Sequence, residues 1–131
     1  MKKTILLTTL LMTTTLLSAQ MSKEEMNTIK TTNPLVMNWV TPYQTPPFDL
    51  IKITDYKPAM LYALELAKQD INAIISNPQE PSFENVIVAY DQSGKMVDRV
   101  TSSFLHLNEA NTSTEMQEIA QEVSPELTKY S

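Results

Sequence analysis

Between positions 60 and 107 the apolar residues recur at helical rather than strand spacing, and that periodicity confines the chain to a helical fold. Met60, Leu61, Leu64, Ala67, Ile71, Ile74 and Ile75 share one face, with Lys68 as its polar exception. The spacing predicts a helix over 55–76. Thr54 is its expected N-cap, and Pro58 is placed in the first turn, where a missing N–H costs little. Asn77-Pro78 ends this helix and Pro81 restricts the turn that follows. Phe83, Val86, Ile87, Tyr90, Val97, Val100, Phe104 and Leu107 form a second stripe, close to a 3.5-residue repeat. It predicts a helix over 83–107, capped by Ser82, with Glu84 at the positive end of its dipole. Gly94 is the chain's only glycine and falls on the stripe side. A glycine inside a helix costs about 1 kcal/mol against alanine. Close approach of a neighbouring helix is preferred to a hinge as its explanation.

After a connection at 108–111, Thr112-Ser113-Thr114-Glu115 matches a capping box between Thr112 and Glu115. Met116, Ile119, Ala120, Val123, Leu127 and Tyr130 then share a third face. Pro125 is expected to kink this helix or to begin a new one after Ser124. The stripe is still running at Tyr130-Ser131, without a glycine stop or a polar tail. Helices of this kind need partners to cover their apolar faces. The expectation is an all-α segment, about three long helices over 54–131, whose packing partner is missing or supplied elsewhere.

Upstream the pattern changes. Lys2 and Lys3 precede an uncharged apolar stretch diluted by threonines, and small residues follow near Ala19. This is the layout of a secretory signal peptide over 1–19, with cleavage expected after Ala19. A membrane span asks for about 20 strongly apolar residues, which favours cleavage over an anchor. The chain is therefore expected to be exported, periplasmic or secreted, with no membrane partner after cleavage. Residues 20–32 form a polar lead, a short helix or a frayed end with too few apolar positions to demand burial. Residues 33–53 carry Pro34, Pro42, Pro46 and Pro47 among Trp39, Tyr43 and Phe48. Prolines bias the chain toward extended geometry, and disordered linkers are poor in aromatics. An extended strap whose aromatics dock on the helices is favoured over a linker.

The charge is −5, and Lys2 and Lys3 contribute +2 of it, leaving the remainder near −7. No basic patch is present to offset phosphate repulsion, so nucleic acid is not an expected partner. The absence of cysteine excludes disulfides and thiolate metal sites. His106 is the only histidine. A catalytic zinc needs about three protein ligands, commonly including histidines or cysteines. His106 is read as a surface or interface residue. Glu24 and Glu25 point to different helix faces, while Glu115, Glu118 and Glu122 are read as a solvated face rather than a calcium site. Asn111-Thr112-Ser113 matches a glycosylation sequon that arises often by chance. With one glycine, no phosphate loop or GxSxG turn exists. No catalytic, cofactor-binding or metal-ligating residue is assigned.

Two segments carry more than composition. One is Asn33-Pro34-Leu35, Trp39 and Thr41-Pro42-Tyr43-Gln44-Thr45-Pro46-Pro47-Phe48-Asp49-Leu50-Ile51-Lys52, leading into Tyr56-Lys57-Pro58-Ala59. The other is Asn77-Pro78-Gln79-Glu80-Pro81-Ser82-Phe83-Glu84-Asn85-Val86-Ile87-Val88-Ala89-Tyr90, continuing to Ser93-Gly94. With Met116-Gln117-Glu118-Ile119-Ala120, they resemble the N-terminal region of M3-family (thimet oligopeptidase-like) zinc metallopeptidases, especially the bacterial peptidyl-dipeptidases. The likeness runs from Asn33 to the last residue.

The resemblance implies a helical fold with a deep channel between two halves. It also implies one zinc, held by an HExxH pair of histidines and a later glutamate, with the glutamate of HExxH as general base. Members of the peptidyl-dipeptidase branch remove dipeptides from the C-termini of short peptides. None of those positions maps onto this sequence. The expectation is an N-terminal segment, inactive by itself, whose partner is the missing C-terminal catalytic region and whose substrates, in the full-length enzyme, are short peptides. The alternative is a stand-alone helical module that grips a peptide or partner without catalysis.

Overall fold

The computed structural model describes residues 21–130; the leader expected over 1–19 lies outside them. The described residues are helical, with no strand among them, and the all-α expectation holds. The chain forms α1 (Lys23–Thr32), a short 3-10 turn at Pro42–Gln44, and α2 (Ile53–Ile75). A π-helical stretch at Phe83–Val88 leads into α3 (Ala89–Ser93), followed by α4 (Lys95–Ala110) and α5 (Thr114–Tyr130).

The polar lead is a helix. Ser22 caps it through a capping box with Glu25: the Glu25 N–H donates to Ser22 Oγ, and the Ser22 N–H donates to the Glu25 carboxylate at 2.8 Å. Its few apolar side chains are used: Met26 and Ile29, three apart, pack against the core.

α2 starts earlier than its sequence suggests. Lys52, extended at φ −102° and ψ 154°, is the N-cap in place of Thr54, and its N–H donates to the Asp55 carboxylate at 2.8 Å. Pro58 therefore lies beyond the first turn, where it leaves the Thr54 carbonyl without its usual helical donor. The helix continues because a broad face is buried across it. Tyr56, Ala59 and Ala63 are fully buried, and Met60, Tyr62, Leu64 and Ala67 nearly so. The three alanines put little bulk between α2 and its neighbours, which lets them approach closely.

The predicted helix over 83–107 is three consecutive pieces. Ser82 and Asn85 bond reciprocally, with the Ser82 N–H donating to Asn85 Oδ1 at 2.8 Å. Asn85 Nδ2 also donates to the Glu80 carbonyl at 2.9 Å, which ties the turn to the helix start. The first turns are π-wound. The second break is at Gly94, whose backbone at φ −96° and ψ −5° stays in the right-handed helical region while interrupting the regular helix for one residue. The close-approach reading of Gly94 also holds: a Cβ there would lie 2.9 Å from Tyr130 Oη of α5.

α5 departs from expectation at both of its marked positions. Its cap is Ser113, whose Oγ accepts from the Met116 N–H at 3.2 Å, while Thr112 Oγ donates to Asn108 instead. The helix runs through Pro125 to Tyr130 as one element. Proline removes a single backbone bond there, to Gln121. Met116, Ile119 and Val123 are buried before it and Leu127 packs after it, so one face stays seated on both sides.

α2 is the centre of the packing. α3 and α4 run antiparallel to it, with Phe104 of α4 beside Tyr56 near the start of α2, and Ser93 of α3 and Ala73 lining one groove toward its end. α5 runs in the same direction as α2: Glu122 pairs with Lys57 at 2.6 Å near the start of α2, and Tyr130 reaches Gly94, at the head of α4, farther along. Leu35 and Val36 of the strap close one end of the core. The three stripes thus cover much of one another. What stays exposed is the opening part of the second stripe, Phe83, Ile87 and Tyr90, together with Ile75 at the end of α2. No helix among the described residues is long and apolar enough to cross a membrane.

Candidate functional site

The strap is fixed at two points, each built from a residue in the sequence motif. Asn33 is buried. Its Oδ1 accepts from the Leu35 N–H at 3.0 Å, forming a local turn, and its Nδ2 donates to the Asp55 carbonyl at 2.8 Å. One amide therefore orients Leu35 into the core and ties the strap to the first turn of α2.

The second point is Trp39. Its Nε1 donates to the Pro34 carbonyl at 2.9 Å, which curls 34–39 into a closed loop. The guanidinium of Arg99 on α4 stacks over the indole, with its carbon 3.8 Å from the ring centroid. An Arg99 Nη donates to the Met37 carbonyl. Arg99 is the chain's only arginine, and its planar fork meets a ring face and a carbonyl at once, which lysine cannot do. Partial burial pulls its pKa below the ordinary value. Asn38, Trp39, Gln44 and Arg99 line a small polar cleft of about 270 Å³.

Not every strap aromatic docks. Trp39 does; Tyr43 is 98% exposed and Phe48 is half exposed. The turn carrying Tyr43 is strained, with left-handed φ of 59° at Tyr43 and 55° at Gln44. Thr41 and Thr45 hold it: Thr41 Oγ donates to the Thr45 carbonyl and Thr45 Oγ to that of Pro42.

The residues weighed for chemistry remain apart. His106 is exposed on α4. Glu115, Glu118 and Glu122 are exposed along the edge of α5 that borders Thr54 and Lys57 of α2, and Glu122 pairs with Lys57. Glu25 serves as a capping group, and its bonds from Ser22 lower its pKa. Among the described residues, no three His, Cys, Asp or Glu side chains are grouped to hold a metal ion. A single exposed histidine without cysteine does not fit the donor set of a catalytic zinc. Sequence reasoning passed over Arg99. Its one signal was being the only arginine, placed on a helix opposite a tryptophan-bearing strap.

A groove lies at the far end of α2. Asp70, Ala73, Ile74 and Asn77 form one wall, and Asn85, Ala89, Gln92 and Ser93 the other, around a groove of about 380 Å³. Tyr130, the last described residue of α5, does not line it; its pKa is raised by burial and by the neighbouring Asp98, Tyr90 and Asp70.

No family model matches the chain, and no solved structure matches it. Curated proteins do. The chain is 39% identical over 101 residues to the dipeptidyl carboxypeptidase of Salmonella typhimurium, covering 77% of this chain and 15% of that protein. It is 39% identical over 97 residues to the dipeptidyl carboxypeptidase of Escherichia coli, covering 74% of this chain and 14% of the relative. Oligopeptidase A of Salmonella typhimurium is 29% identical over 100 residues, 76% of this chain and 14% of its own length. The matched part thus spans about one seventh of these relatives. The motifs that tie the strap to α2 and open the second stripe now have a common origin: the chain belongs to the peptidase family of dipeptidyl carboxypeptidase and oligopeptidase A.

Proposed function

We propose that this chain is the opening helical segment of an exported peptidyl-dipeptidase, and that it contributes shape to that enzyme rather than hydrolytic chemistry. The observation that carries the reading is the 39% identity to dipeptidyl carboxypeptidase over three quarters of the chain, against only 15% of the relative's length. The residue inventory supports it: one histidine and no cysteine leave zinc and the general base to the rest of the enzyme. The proposed role is to form and cover part of a channel that admits short peptides. Export is supported by the basic, apolar and small-residue order of positions 1–19.

The test compares two proteins on a blocked short peptide with zinc present. The free chain should release no dipeptide. A chimera in which this chain replaces the matched stretch of the Escherichia coli dipeptidyl carboxypeptidase should release it. Zinc-dependent cleavage by the free chain overturns the reading. So does an inactive, well-folded chimera. N-terminal sequencing of the exported product should begin at Gln20.

One observation favours the second reading, a helical binding module. α2, α4 and α5 bury a shared core without outside help. A sharp monomeric melt of the free chain, joined to failure of the chimera, selects that reading.

A further inference from the structure

Arg99 carries a charge that nothing among the described residues balances. The chain holds 15 acidic residues against 10 basic ones, yet Arg99 takes part in none of the ion pairs among the described residues. Its Nε is buried without a hydrogen-bond partner. The acceptor it does have, the Met37 carbonyl, is neutral. A guanidinium has five N–H donors in one plane. Stacking on Trp39 occupies the face of that plane and leaves its edge for hydrogen bonds.

The cleft of about 270 Å³ beside it is lined by donors. Asn38 and Gln44 bring exposed carboxamides, and no described residue bonds either side chain. No acidic residue lines the cleft. Trp39 supplies a wall, since its own N–H is turned to the Pro34 carbonyl. The turn that presents Gln44 is strained, with left-handed φ at Tyr43 and Gln44, and two threonine hydroxyl bonds hold it. Strain of this kind collects at ligand clamps.

We propose that this cleft binds the carboxylate of a short peptide, with Arg99 as the charged grip and Asn38 and Gln44 as the flanking donors. The inference deepens, and rests on, the proposed role in admitting short peptides. The donors select the ligand. An ionised carboxylate only accepts hydrogen bonds, and its two oxygens suit a planar guanidinium edge. A phosphoryl group brings more negative charge than one arginine offsets in so acidic a chain. The cleft lies just below the ~300–1,000 Å³ of sites that enclose drug-sized ligands, a size for one terminal residue or one acidic side chain. Both sources offer the same group.

Trp39 is the only tryptophan and lines the cleft, so its emission reports occupancy directly. The free chain is titrated at constant ionic strength with sodium acetate replacing chloride. It is then titrated with acetyl-Ala-Ala, which has a terminal carboxylate, with acetyl-Glu-amide, which has only a side-chain carboxylate, and with acetyl-Ala-Ala-amide, which has neither. The three carboxylates should change the emission saturably, and the amide should not. Tighter binding of acetyl-Ala-Ala assigns the peptide terminus, and tighter binding of acetyl-Glu-amide assigns an acidic side chain; either upholds the carboxylate site. Arg99→Ala should weaken half-saturation at least ~tenfold, the scale of one charge-assisted contact. Because that variant also frees the strap, Asn38→Ala and Gln44→Ala provide a second arm. They keep the Arg99–Trp39 stack and should each weaken binding about threefold. Equal responses to acetyl-Ala-Ala and its amide overturn the inference, as does native half-saturation in all three variants. Emission unmoved by every carboxylate also overturns it and leaves the family role to the chimera.

Discussion

Tyr56 of α2 meets Phe104 of α4 edge-on, with ring centroids 5.2 Å apart and planes at 63°. Both rings are buried, and the Tyr56 hydroxyl lies 3.4 Å from Ser103 Oγ. This pair fixes the antiparallel register of α2 and α4 at the end of the core next to the strap. Phe104→Ala should lower unfolding free energy by about 3–5 kcal/mol, the range for removing a buried aromatic ring. Tyr56→Phe keeps the ring and should cost no more than about 1 kcal/mol, since the bond it removes is long. Urea titration of each variant distinguishes the two.

Burial raises the Tyr56 pKa above its ordinary value of 10.0; the Ser103 bond opposes this and the nearby Asp55 charge adds to it. Tyr130 is raised as well. A tyrosine whose folded pKa is raised holds its proton in the folded state after the unfolded chain has lost it. Stability is therefore complete below the unfolded pKa of about 10 and falls as pH rises beyond it. Urea midpoints measured at about pH 9 and pH 11 should drop in the native chain. The drop should shrink in Tyr56→Phe.

Asn33 satisfies the Leu35 N–H and the Asp55 carbonyl with one side chain. Asn33→Ala leaves both without that partner and should cost about 1–3 kcal/mol. Asn33→Asp keeps the acceptor for Leu35 but loses the donor to Asp55. It should fall between the native chain and the alanine variant in thermal melts.

Trp39 is the only tryptophan, so its emission reports on the strap alone. Arg99→Ala removes the guanidinium lid and the bond to Met37. The emission should shift to longer wavelength, and proteolysis within the exposed turn around Tyr43 should speed up. Arg99→Lys should recover little of either, because an ammonium lacks the planar fork. Unchanged fluorescence in Arg99→Ala sinks the claim that Arg99 holds the strap.

Gly94 and Tyr130 form a coupled pair. The backbone angles at Gly94 suit any L-residue, so Gly94→Ala gains up to about 1 kcal/mol in chain entropy and helix propensity. In the native background much of that gain is lost to displacement of the Tyr130 hydroxyl. In a Tyr130→Phe background, where that oxygen is absent, Gly94→Ala should be stabilising. A double-mutant cycle measures the difference as a non-zero coupling.

The spacing of apolar residues determined that this chain is helical and which faces of 55–76, 95–107 and 116–130 turn inward, because burial of a stripe is enforced at every turn. Its motifs determined the family. The ends and interruptions of the helices were decided elsewhere. Lys52 rather than Thr54 caps α2 because the Asp55 carboxylate accepts from the Lys52 N–H, and Ser113 rather than Thr112 caps α5 because Ser113 Oγ accepts from the Met116 N–H while Thr112 donates to Asn108. Pro125 stays inside α5 because packed residues on both sides outweigh one lost backbone bond. Only the tertiary structure set Arg99 over Trp39, 60 residues apart in the chain, and only it left the groove between the end of α2 and α3 open. Periodicity states which side of a helix is apolar. Which neighbour covers that side, and for how many turns, depends on where the other helices begin and stop.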